Sequence, residues 1–293
     1  EEYGAKVRIG GEWVLGRRKS RETTIYAGPV LAYDKQIYFD RDTGLQNVSS
    51  AGGNISDRYT YTSAGVEARY RNRTVRFGEF SFSASVVQRN YKEVPNVSSL
   101  DALLYRFGGD VEFELTRRLS LDLDYAYTVR DYDNLRARNR DASLLPGNDL
   151  LKYAYNDLGV TLRAEPTERL TLYLDYDYTV RDDVFAGYND YTRHSYRIRA
   201  LWSGRRTGLR LAARYRDKSY DNAFIFDKPV NPLDNSPNPH KSYQTLQIDF
   251  RAERQWGGLG KLVLEYRLYN QETADPRYDY DRNRLSLSYR IER

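Results

Sequence analysis

The chain has 293 residues, 46 Lys+Arg against 41 Asp+Glu, a formal net charge of +5 and a mean hydropathy of -0.79. With neither cysteine nor methionine, it offers no disulfide framework and no thiolate metal site. Its longest mostly apolar stretch, TTIYAGPVLAY from Thr23 to Tyr33, falls short of the ~18 apolar residues of a membrane-spanning helix, which excludes that element.

In chain order, apolar residues recur at every second position. Val7, Ile9, Gly11, Trp13 and Leu15 share one parity, and an ambiguous stretch follows near Ile25 to Tyr33. Ala64-Val66-Ala68-Tyr70, Phe80-Phe82-Ala84-Val86 and Tyr105-Phe107-Gly109-Val111-Phe113-Leu115 come next. Leu121-Leu123-Tyr125-Tyr127-Val129, Leu158-Val160-Leu162, Leu170-Leu172-Leu174-Tyr176-Tyr178-Val180 and Tyr196-Ile198-Ala200-Trp202 continue the series. Leu209-Leu211-Ala213-Tyr215, Leu246-Ile248-Phe250-Ala252, Leu262-Leu264-Tyr266-Leu268 and Leu285-Leu287-Tyr289-Ile291 close it. A period of two is that of β-strands with one apolar and one polar face, and about thirteen are expected. No segment has a convincing helical period, so the chain reads as all-β.

One strand occurs twice. LDLDYAYTVRD (Leu121 to Asp131) and LYLDYDYTVRD (Leu172 to Asp182) carry leucines at one end of the apolar face and tyrosines at the other. The connections alternate as well. Short turns are expected at Arg17 to Arg21, Arg71 to Thr74, Thr116 to Arg118, Glu165 to Arg169, Ser203 to Gly208 and Trp256 to Gly260. Longer loops fall at Gln36 to Asp57, Lys92 to Asp101, Asp133 to Leu151, Asp183 to Thr192, Asn222 to Lys241 and Gln271 to Arg277.

Strict alternation with short turns at one end and long loops at the other resembles bacterial outer-membrane β-barrels. The resemblance spans nearly the whole chain and implies one transmembrane antiparallel up-and-down barrel over residues 1–293, in the outer membrane of a Gram-negative bacterium. It implies that Leu121, Leu123, Leu172 and Leu174 face lipid, and that Tyr125, Tyr127, Tyr176 and Tyr178 form part of an aromatic girdle on the long-loop side. The last residues, LSLSYRIER, depart from the usual pattern, because Glu292 and Arg293 trail the last outward position where an aromatic is usual. The chain begins without an initiating Met or signal peptide and is expected to be a processed or truncated product. Short turns on the periplasmic side would make the first strand descend from the outer face. At least one further strand before Glu1 is therefore expected, about fourteen in all, with QIYF (Gln36 to Phe39) as the alternative missed strand.

The polar parity is heavily charged. Asp110, Glu112, Glu114, Asp122, Asp124, Asp175 and Asp177 form an acidic group on central strands, and Arg197, Arg199, Arg210, Arg214 and Arg216 a basic group on the next two. Asp249/Arg251, Glu265/Arg267 and Arg284 follow. In a closed barrel these residues line the lumen, where charge must be paired or hydrated. Two readings remain open: a water-filled lumen whose transverse field selects hydrophilic solutes, and salt-bridge ladders that stabilise a narrow plugged barrel.

Catalysis is not expected. His194 and Ser195 lie on opposite faces of one strand, and His240 falls in a Pro/Asn-rich loop. The loop acids of DYDN (Asp131 to Asn134) and DPRYDYDRN (Asp275 to Asn283) lack the ligand spacing of a calcium site, so no metal and no cofactor are expected. Arginines alternate with acids and form no basic face for nucleic acid. The leading expectation is a hydrophilic pore or the export conduit of a larger envelope complex. The alternative is an assembly barrel, plugged, anchoring a periplasmic domain, lipoprotein or cytochrome. A soluble β-sandwich or solenoid is the third reading. Expected contacts are outer-membrane lipids, lipopolysaccharide, and a periplasmic or surface protein.

Overall fold

The computed structural model describes residues 2–18, 21–36, 57–74, 78–94, 98–226, 228–231, 236–256 and 260–291. These residues form a single antiparallel sheet in which, from the second strand onward, each strand hydrogen-bonds its neighbour in sequence, while the first also pairs with the third. The strands are β1 (Glu2–Arg8), β2 (Gly11–Arg18), β3 (Arg21–Gln36), β4 (Tyr61–Thr74), β5 (Gly78–Tyr91), β6 (Ala102–Thr116) and β7 (Leu119–Arg136). They continue as β8 (Leu150–Thr167), β9 (Leu170–Asp183), β10 (Tyr191–Ser203), β11 (Thr207–Phe224), β12 (His240–Gln255), β13 (Gly260–Thr273) and β14 (Tyr280–Ile291). The only helical piece among the described residues is a 3-10 turn, Pro276–Tyr278. The chain is an all-β up-and-down meander, as the alternation predicts. The ambiguous segment near Ile25 is a full strand.

β1 and β2 lie end to end along β3, so fourteen strands make thirteen rows. The break falls where Pro29 sits opposite Ile9. Ile9 N–H donates to the Pro29 carbonyl at 3.3 Å, and a strand residue's N and O point to the same side, so the missing Pro29 N–H also faces Ile9. The reciprocal ladder bond cannot form and the strand divides there. The alternation from Val7 to Leu15 alone predicts one unbroken strand here.

The register fuses the alternating positions into two continuous faces. Phe82, Gly109, Tyr125, Leu158, Tyr178 and His194 form one apolar row from β5 to β10, each opposite the next. Further along, Ala252, Leu264 and Leu287 align across β12, β13 and β14. These side chains are not covered by a second layer: Leu174 is 52% exposed, Ile198 59% and Leu287 67%. A soluble sandwich would bury them between two sheets. The single sheet leaves a continuous apolar face uncovered, which is not a soluble monomer's surface.

Most connections fall where expected, with corrections to their limits. Arg71–Thr74 is strand, not turn: β4 runs to Thr74 and the Arg71 guanidinium pairs with Glu79 on β5, so the connection is residues 75–77, outside the described residues. QIYF beyond Gln36, and most of the loop containing it, also lie outside them. Loop 137–149 is shorter than expected because β7 reaches Arg136, and His240 opens β12 instead of lying in a loop. Most strands have 12 to 18 residues, more than the ~9–11 tilted residues that cross a bilayer's hydrocarbon layer.

Gly78 fixes the start of β5. Its φ is +99°, and a Cβ there would lie 1.9 Å from the Glu112 carbonyl oxygen. Gly78→Val combines left-handed backbone strain with a backbone collision, and should destabilise the folded protein by about 1–3 kcal/mol. Urea unfolding in lipid vesicles checks this, and an unchanged midpoint would show that the hairpin tolerates a side chain.

Candidate functional site

The charged face divides into sectors. On the acidic side, the register places Glu79 opposite Glu112, Glu112 opposite Asp122, and Asp110 opposite Asp124. Like charges in direct cross-strand contact are unfavourable unless water or a counter-ion lies between them. Ser81 donates a hydrogen bond to Asp110. Glu114 ends this sector beside the short turn, opposite Ser120.

The sequence-predicted arginines converge. Arg197 lies opposite Arg214, with Arg199 one step and Arg210 two steps nearer the short turns and Arg216 one step nearer the long loops. Arg197, Arg199, Arg210, Arg214, Arg251, Arg267 and Arg284 line one recess of about 510 Å³, together with Asp249 and Glu265. Three of these arginines are matched. Arg199 holds Asp175 through Nε and Nη2 at 3.0 and 2.9 Å, and Arg251 bridges Glu265 at 3.0 Å and Glu253 at 3.1 Å. Arg267 meets Asp249 at 2.5 Å. Arg197, Arg210, Arg214, Arg216 and Arg284 make no hydrogen bond or ion pair with a carboxylate among the described residues, although Asp177 lies near enough to attract Arg216. The recess is therefore cationic even after pairing. Asp175 belongs with these bases, because the Arg199 fork and the Thr161 hydroxyl, at 2.9 Å, both reach it.

A third layer was missed at the sequence level. Near the long loops the charged face carries tyrosines packed on cations. The Arg181 guanidinium lies 4.3 Å from the Tyr153 ring centroid and 4.4 Å from that of Tyr191, and Arg130 lies 4.5 Å over Tyr132. Lys218 is 4.1 Å over Tyr191. Tyr132, Tyr153 and Tyr191 are buried. Cation–π contact of this kind is stronger where water is excluded. The signal was available in the sequence, since Tyr153 and Tyr155 have the parity opposite to Leu158.

Long loops close over this layer. Arg181 Nε donates to the Asn189 carbonyl at 2.9 Å, and Asn189 Nδ2 donates to Asp183 at 3.2 Å. Tyr188, 1% exposed, packs with Ala142 and Ala223, tying loops 137–149 and 184–190 to the end of β11. Within loop 184–190, burial pushes the Asp190 carboxyl above its ordinary range. In the loop before β14, Arg277 forks Asp275 at 2.6–3.1 Å and holds its carboxyl below the usual range.

His194 and Ser195 do lie on opposite faces. His194 Nδ1 is 3.0 Å from the Tyr176 hydroxyl on the apolar face, whereas Ser195 is buried on the charged face. His240 is exposed, edge-on to the Phe224 ring at 5.0 Å.

No family model matches the chain, and no curated protein matches it. Among solved structures, the ferripyoverdine receptor of the outer membrane of Pseudomonas aeruginosa, determined bound to ferripyoverdine, is similar at 12% identity with a TM-score of 0.47. The match covers 98% of this chain and 52% of the receptor, so the chain spans about half that receptor's length.

Proposed function

We propose that the chain is a transmembrane barrel of a bacterial outer membrane whose charged face lines a hydrophilic pore or the conduit of a larger envelope complex. One observation carries this reading: a single sheet exposes a continuous apolar face and sets a graded, charge-dense face behind it. Lipid is the solvent that the apolar face fits, and a closed ladder is how a sheet satisfies its backbone there. On the other face, cations left over after pairing give an anion-attracting sector beside an acidic one. No catalytic step is proposed, because His194 and Ser195 face different media.

The second reading is an assembly barrel whose lumen is plugged and which anchors a partner. The buried Tyr132–Tyr153–Tyr191 layer favours it, since these side chains fill space at the long-loop end. Planar-bilayer recording of the purified protein separates the two. The pore reading expects discrete conductance steps with measurable ion selectivity. A folded, membrane-inserted protein that conducts nothing would replace it with the plugged barrel.

A further inference from the structure

Neighbouring rows of the charged face differ in how fully their polar groups are matched. On the long-loop side, Arg193 Nη2 donates to Thr179 Oγ1 at 2.8 Å, and Thr179 Oγ1 donates to Asp157 at 2.5 Å. On the short-turn side, Asp175 accepts from Thr161 at 2.9 Å and from the Arg199 fork. The row between runs Asp124, Gly159, Asp177, Ser195, Arg216 across β7 to β11. The side chains of Asp124, Asp177 and Arg216, with that of Arg214 in the next row, make no hydrogen bond or ion pair among the described residues. Ser195 Oγ also lacks a partner, although the residue is only 3% exposed.

These groups line a recess of about 280 Å³. Two small residues shape it. A Cβ on Gly159 would lie 2.1 Å from Asp124 Oδ1, so the Asp124 carboxylate occupies the space over Gly159, leaning towards Asp177. Ser195 leaves room between Asp177 and Arg216. Strands about 4.8 Å apart set the Asp177 and Arg216 backbones about 10 Å apart, with carboxylates at one end and guanidinium groups at the other. Asp124 and Arg216 are exposed, Asp177 and Arg214 half-buried, and the Ser195 hydroxyl buried without a partner. A group that completes the buried hydroxyl also meets charges of both signs around it. A lone cation or anion would complete one end only.

We propose that this recess binds a small zwitterion of the α-amino-acid type. It rests on the reading of the charged face as a solute-contacting wall. The ammonium sits on Asp124 and Asp177, the carboxylate on Arg214 and Arg216, and the Ser195 hydroxyl donates to the carboxylate. Charge-assisted hydrogen bonds at both ends give selectivity over solutes carrying either charge alone.

The test is equilibrium dialysis of radiolabelled L-alanine against the purified full chain, folded in detergent, with propionate and isopropylamine as single-charge competitors. Saturable binding is expected, displaced by unlabelled L-alanine but by neither competitor at the same concentration. Asp177→Asn, which keeps the shape and removes the charge, should weaken binding about tenfold or more. Gly159→Ala, which dislodges the Asp124 carboxylate, should weaken it in the same direction. Circular dichroism and thermal unfolding verify that each variant is folded. A folded wild-type chain without saturable binding overturns the proposal, as does equal displacement by propionate or by isopropylamine. Undiminished binding in both variants overturns it too. Binding is read here without a pore, so a barrel that binds alanine but conducts nothing would refute the pore reading alone.

Discussion

Leu264→Arg should impair assembly, lowering the stability of the inserted protein by about 2–4 kcal/mol if the site lies near the bilayer midplane. Leu264 sits on β13 between Ala252 and Leu287, on the apolar face, and is 36% exposed. An arginine there meets hydrocarbon with no carboxylate in its row. Gln247→Arg is the matched comparison. Gln247 lies on the charged face of β12, opposite Arg214 and Tyr269, and donates to Asp249 at 2.5 Å. An arginine at that position keeps an acid within reach and should cost far less. Urea unfolding in lipid vesicles, with folded and unfolded forms separated by electrophoretic mobility, measures both. Equal costs would mean that the apolar face does not meet lipid.

The alternation made the two faces legible because side-chain direction in a strand depends only on parity. Leu121, Leu123 and Tyr125 could be placed without any knowledge of their neighbours, and the register sets them opposite Leu162, Val160 and Leu158. What parity does not give is who stands beside whom. Asp175 reads as one acid among several; the register sets Arg197 directly opposite it, yet Arg199, which lies opposite Tyr173, reaches across diagonally to hold it. The limits of strands were also poorly legible. Arg71, Asn72 and Arg73 look like a turn by composition, but β4 and β5 continue pairing there. Pro29 made its segment ambiguous, although a proline needs only one missing bond, and the chain accommodates it by dividing the neighbouring strand. Tyr125, Tyr127, Tyr176 and Tyr178, expected in an outward girdle, share the apolar face with Leu158 and Leu162. Tyr153 and Tyr191, to which the alternation assigned no role, serve on the other face as platforms for Arg181.

Neutralising Arg197, Arg199, Arg210, Arg214 and Arg216 together should shift conductance towards cations, changing the cation-to-anion permeability ratio by about tenfold if the lumen conducts. Fixed positive charge concentrates anions at close range, and removing it leaves Asp110, Glu112, Asp122 and Asp124 on the neighbouring acidic sector to set the sign. The arginines will not contribute equally. Arg199 is already forked by Asp175 at 2.9–3.0 Å, so its charge is cancelled locally and the pair adds little to the field. Changing Arg199 alone to Gln strips Asp175 of its partner. Asp175 is 8% exposed but the Arg199 side chain is 34% exposed, and Asp175 keeps its Thr161 hydrogen bond, so losing the fork should cost about 1–3 kcal/mol, less than breaking a fully buried pair. Arg199→Gln should therefore appear mainly as lost stability. The variant with Gln at positions 197, 210, 214 and 216 should carry most of the selectivity change on a wall that remains folded. Reversal potentials in 0.1 M and 1 M KCl test the cause as well as the direction. The Debye length falls from about 10 Å to about 3 Å between those conditions, so the difference between wild type and variant should shrink sharply in the higher salt. A selectivity that ignores the four substitutions, or a difference that survives unscreened at 1 M, would mean that these arginines do not face the conducting path.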